Sequence, residues 1–120
     1  MRKILASIVL AVPLALVPAV QAETVEQPAA HLAIAAGDYD SAERALLAER
    51  KIYRDRPELL LNLAAVYART GRATEARALY QQVLNQKSVA MDVSDGAVAG
   101  SHLVAKRGLR QLDAARMAVR

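Results

Sequence analysis

From Pro57 to Leu84 the apolar residues fall into two helical stripes separated by a glycine. Leu60, Leu63, Ala64 and Tyr67 recur at steps of three, one and three, which puts them on one face of a helix. Pro57 suits the first turn of that helix, where a missing N–H loses no partner. Gly71, just after Arg69-Thr70, predicts the stop, because glycine enters the left-handed conformation that ends a helix at low cost. Ala76, Leu79, Tyr80, Val83 and Leu84 form a second stripe and predict a second helix directly after it. Ala64 and Ala76 are small enough for the two helices to approach closely.

The same pattern recurs upstream at a fixed separation. Stepping back 34 residues takes Gly71 to Gly37, Ala76 to Ala42 and Tyr80 to Leu46. A shared period is harder to obtain by chance than one helical hairpin. It predicts a short helix from Pro28 to near Ala36, then a helix over Tyr39–Arg54 with Ala42, Ala45, Leu46 and Tyr53 on its core face. Asp38 or Asp40 supplies the cap. Asp40 with Arg44 and Lys51 with Asp55 are four apart and form expected surface pairs. Arg50, Lys51 and Arg54 read as a solvated face that complements the helix dipole.

After Leu84 the helical period stops. Ser88–Gly100 is predicted to be irregular or a short hairpin, with Ser94-Asp95-Gly96 as the turn. Ser101 is the predicted cap of a last amphipathic helix over 101–119. Its apolar face carries Val104, Ala105, Gly108, Leu109, Leu112, Ala115 and Val119. Gly108 costs about 1 kcal/mol relative to Ala in mid-helix, so on that face it marks a close helix contact.

These residues resemble a tetratricopeptide repeat. Leu60, Leu63, Ala64, Tyr67, Gly71, Ala76, Tyr80 and Val83 fill the family's slots in register. Leu60 stands for Trp, Ala64 for Gly, Val83 for Ala, and Ser88 for the closing Pro. Upstream, Gly37-Asp38-Tyr39 is closer to the family turn than Gly71-Arg72-Ala73, while Glu49 replaces the preferred Ala. The resemblance covers roughly His31–Leu84 and implies an all-α fold. Two antiparallel helix pairs (about 28–56 and 57–88), an irregular segment (89–100) and the terminal helix make up that fold. Because two repeats seldom suffice alone, the last helix is expected to cover the second repeat or to begin a third.

The N-terminus has a separate character. Arg2 and Lys3 precede the apolar run Ile4–Val17, and Val20-Gln21-Ala22 is a small-residue cleavage site. This predicts a secretory signal peptide over residues 1–22, cut before Glu23, because the run is shorter than the roughly 20 residues of a membrane helix. The mature domain (23–120), opening on a frayed 23–27, is then expected in the periplasm or outside the cell, without membrane insertion. The chain has no Cys, which excludes disulfides and a lipid-anchored thiol. Its 16 basic and 12 acidic residues give +4. Removing Arg2 and Lys3 leaves 14 against 12, too little excess to propose nucleic acid as a partner.

No residue pattern supplies chemistry. His31 and His102 have neither a positioned nucleophile nor an oxyanion site in sequence. Asp92, Ser94 and Asp95 lack the spacing and closing Glu of a calcium loop. No catalytic residue, metal site or cofactor is therefore expected. Glu58, Asn62, Ala65 and Arg69 instead stripe one face of the first helix of the second repeat. In arrays of the resembled family that helix lines a concave groove for peptides, with an Asn holding peptide backbone or carboxylate. The resemblance implies that role for Asn62, and charge adds Arg69. The basic residues that complete such a clamp come from a neighbouring repeat and are not assigned in this sequence. Two readings result: a non-enzymatic adaptor that binds a protein or peptide in the cell envelope, or a structural subunit. The second would self-associate, or dock on a larger complex, through Val104, Gly108, Leu109 and Leu112.

Overall fold

The computed structural model describes residues 28–93 and 95–119, so the signal peptide expected over 1–22 and the 23–27 lead-in lie outside the described residues. In chain order these residues form α1 (Pro28–Ala35), α2 (Tyr39–Arg50), α3 (Pro57–Arg69), α4 (Ala73–Leu84), β1 (Ala90–Asp92), β2 (Val98–Gly100) and α5 (Ser101–Ala118). Helix α1 packs on α2, α2 on α3, α3 on both α4 and α5, and α4 on α5. The fold is a stack of adjacent helix pairs with a terminal helix, as the periodicity predicts.

The two inter-helix turns are built alike. Gly37 has φ 76° and Gly71 φ 79°. The Asp38 N–H donates to the Ala33 carbonyl at 2.9 Å, and the Arg72 N–H donates to the Tyr67 carbonyl at 2.8 Å. Each bond spans five residues across a left-handed glycine, which satisfies a carbonyl that the helix end leaves open. The caps that follow differ. Asp38 accepts from the Ser41 N–H at 3.1 Å, and bonds from Ser41 hold its carboxyl below the usual value. Arg72 makes no cap bond. Its guanidinium forks onto Glu43 of α2 at 2.8 and 2.6 Å and stacks on the Tyr67 ring, 4.2 Å from its centroid. The turn of the second repeat is thereby tied to the second helix of the first.

Helix α2 stops four residues before the predicted Arg54. The N–H groups of Ile52 and Tyr53 both donate to the Glu49 carbonyl, closing a tight turn. Arg56 is then extended (ψ 121°), the conformation that a residue before proline favours. Tyr53 lies outside the helix and is 46% exposed, with Arg56 stacked on its ring at 4.2 Å. Neither predicted surface pair forms. Arg44 donates to the Ser41 hydroxyl, and the ion pairs among the described residues are Glu49–Arg56, Glu43–Arg72 and Asp113–Arg77.

Helix α3 is the centre of the core. Leu59, Leu60, Leu61, Leu63, Ala64 and Val66 are all buried, wider than the single predicted face. Neighbours on several sides cause this: α2, α4 and α5 all pack on it. Ala42 and Leu46 of α2, Ala76, Leu79, Tyr80 and Val83 of α4, Met91 of the segment after α4, and Ala105 and Leu112 of α5 complete the cluster.

The predicted hairpin forms. Ala90 pairs with Gly100, Met91 with Ala99 and Asp92 with Val98, antiparallel. Gly96 turns it with φ 78°. Ser101 is not the cap of α5, since Gly100 takes that position and Ser101 begins the helix. The Ser101 side chain is fully buried and accepts from the Val89 N–H at 3.0 Å, which pins the base of the hairpin to α5. Beside it the ring of His102 has Nε2 2.7 Å from the Gln86 carbonyl oxygen. A carbonyl only accepts, so Nε2 carries the proton, and this histidine ties α5 to the end of α4.

Candidate functional site

The helix stack leaves a groove of about 720 Å³ over α3, between α1 and α5. Helix α3 contributes Glu58, Leu61, Asn62 and Arg69. From α1 come His31 and Ile34, and from α5 come Val104 and Arg107. Strand β1 and its turn close one side through Met91, Asp92 and Val93. A smaller hollow of about 430 Å³ shares His31, Glu58, Asn62 and Asp92 and extends toward Leu46, Glu49 and Arg56. Those four shared residues mark where the two depressions meet.

Three of the four residues singled out by sequence therefore line one groove. They reach it because steps of four and seven keep Glu58, Asn62 and Arg69 on the side of α3 turned away from α4. Ala65 is half-buried on the same stripe but does not line the groove. Arg69 is partly committed, as its Nη1 donates to the Tyr39 hydroxyl at 3.0 Å, bridging α3 to the start of α2.

Charge along the groove is graded. Glu58 is the second residue of α3 and Arg69 its last, so they stand about 16 Å apart along the axis. Asp92 joins Glu58 on the acidic part, and neither takes part in the ion pairs of the described residues. Helix α5 starts where His102 meets the end of α4 and runs alongside α3, which brings Arg107 toward the basic part. Leu61, buried Met91 and half-buried Val104 give the groove an apolar floor between these charges.

Sequence reasoning missed Met91, Asp92, Val93 and Arg107 as groove residues. Nothing periodic announces them. The hairpin interrupts the helical pattern, and only its docking on the helix stack brings it to the groove. His31 lines the groove wall. No group of three or more His, Cys, Asp or Glu that could hold a metal occurs among the described residues.

The residues proposed as a docking face on α5 are divided by the structure. Gly108 and Leu112 are buried inside the chain. Val104 and Leu109 are half-buried against the core, and Val104 also lines the groove, so the four do not form one free face. Apolar exposure on α5 lies at Leu103 and Met117, and it continues just past the helix at Val119, 88% exposed. Ala68, Leu112, Ala115 and Val119 line a mainly apolar hollow of about 760 Å³ there. Among the described residues no helix is long and apolar enough to cross a membrane.

The model of the tetratricopeptide repeat family matches residues 33–89. No curated protein and no solved structure matches the chain.

Proposed function

We propose, for a chain that carries tetratricopeptide repeats over residues 33–89, that it is an adaptor holding a protein or peptide in the groove over α3. Repeats of this kind serve protein–protein interaction. The observation that carries the reading is convergence: Glu58, Asn62 and Arg69, spaced along one helix, open into one groove flanked by α1, α5 and the hairpin. Asn62 offers both a donor and an acceptor to a peptide backbone. Arg69 and Arg107 offer charge to a carboxylate. The mechanism is recognition and involves no chemical step.

We further propose that it acts in the cell envelope after removal of residues 1–22. Arg2, Lys3, the run Ile4–Val17 and the Val20-Gln21-Ala22 site support this. The mass of the exported protein tests it, with Glu23 as the expected first residue.

A crosslinking pull-down from envelope extract tests the groove, comparing the natural chain with Asn62→Ala/Arg69→Glu. Neither side chain is in the core, so the variant should keep its helical signal. A partner lost by the folded variant supports the groove. A partner held equally by both removes it.

A second reading, self-association through the end of α5, draws on the apolar hollow beside Ala115 and Val119. Solution mass separates the two: a monomer at micromolar concentration excludes it, and a dimer broken by Val119→Glu supports it.

A further inference from the structure

The hairpin gives the groove a feature that helices lack, an open sheet edge. The Ser101 N–H donates to the Val89 carbonyl at 2.8 Å, and the Val93 N–H donates to the Ala97 carbonyl at 2.9 Å. In an antiparallel ladder bonded pairs alternate with non-bonded pairs. With the observed register, the bonded pairs are therefore Val89 with Ser101, Met91 with Ala99, and Val93 with Ala97. Ala90 and Asp92 are left to direct their N–H and C=O groups away from β2, along the free side of β1. Both residues are exposed.

That free side opens on the groove. Met91, Asp92 and Val93 are consecutive, and all three line it. Successive strand residues point to opposite faces of a sheet. A cavity bordered by all three therefore meets the strand at its edge and not at one face. No residue of β2 borders the groove. An open edge is a template for another strand unless it is covered.

We infer that the groove takes an extended peptide segment as a third strand of the hairpin, its backbone pairing with Asp92 inside the groove and with Ala90 beyond the groove lining. This rests on the groove being the binding site. Charge defines the occupant further. Asp92 on the edge and Glu58 on the helix beside it call for a basic side chain at that part of the segment, and Arg107 and Arg69 call for an acidic one toward the end of α3. Main-chain bonds to the edge supply affinity, and the charged and apolar walls supply specificity.

The test uses peptides selected from a displayed random library on the full chain. The tightest one is synthesised with N-methyl groups on either of the two alternate sets of its amides. Only alternate amides of an added strand face the sheet, so methylating that set should weaken binding about tenfold or more, and methylating the other set should cost at most the single bond to Asn62, a loss that Asn62→Ala abolishes. On the protein side, Asp92→Pro removes an N–H that β2 does not use and should weaken binding similarly, while Val98→Pro on the opposite edge should not. Asp92→Asn separates the charge from the backbone. Equal binding by both methylated sets overturns strand addition, and it does so even if Asp92→Pro fails to fold. If that peptide is still lost on Asn62→Ala/Arg69→Glu, the groove stands without the edge. Failure to select any peptide removes both.

Discussion

The ring of Tyr80 occupies the space that a side chain at Gly108 would need. A Cβ built on Gly108 overlaps the phenol end of that ring, 2.5 Å from Cε1 and 2.7 Å from Cε2. Tyr80 belongs to α4 and is buried, so this contact sets how closely α5 approaches the second repeat. Gly108→Ala should therefore destabilise the fold although alanine favours helix. Overpacking costs typically 1–3 kcal/mol, against a propensity gain of about 1 kcal/mol. Chemical unfolding checks the sign. In a Tyr80→Leu background the same change should become neutral or stabilising, since the ring that it meets is gone.

Burial also raises the Tyr80 phenol above its ordinary pKa. The folded state then holds that proton to higher pH than the unfolded chain does. Stability from this group is present below its ordinary value of 10.0 and falls as pH rises beyond it. The Tyr80 share of the tyrosinate absorbance, read as the difference from Tyr80→Phe, should appear together with loss of helical signal in an alkaline titration.

At the other end of the pH range the link between repeats titrates. Hydrogen bonds from Arg72 hold the Glu43 carboxyl below its ordinary value of 4.5. Its contribution is therefore complete above that value and is lost as pH falls through the lowered one. The pair is partly exposed, so the effect is small. Urea midpoints measured from pH 7 to pH 3 should fall less steeply for Glu43→Gln than for the natural chain below pH 4.5.

Ser101→Ala should loosen the hairpin without unfolding the stack. It removes the acceptor of the Val89 N–H at a buried position, a loss of about 1–3 kcal/mol. Amide exchange should quicken at Val89 and through β1, with the amides of α3 unchanged. Equal acceleration in α3 would show that hairpin and stack are one cooperative unit.

Gly71→Ala places a Cβ on a residue with φ 79°, where no neighbour lies within 4 Å. Backbone strain alone then sets the cost, about 1–2 kcal/mol. A melting temperature unchanged within error would mean that the turn relaxes without the left-handed conformation.

The sequence by itself determined the elements whose physics is local. Helix faces at steps of three and four, Gly37 and Gly71 as stops, and a cap at Asp38 or Asp40 each depend on bonds within about five residues along the chain. The separation of 34 between equivalent positions carried the pairing of the repeats. Periodicity overran the end of α2, because nothing periodic announces the tight turn in which the Ile52 and Tyr53 N–H groups both close on the Glu49 carbonyl. The tertiary structure decided what depends on contacts between distant segments. Helix α3 is buried beyond its apolar stripe because neighbours enclose it. Leu112 and Gly108 are spent inside the chain because Tyr80 receives α5. His31, Asn62, Asp92 and Arg107 belong to four different elements, and only the docking of those elements on one another makes them the walls of a single groove.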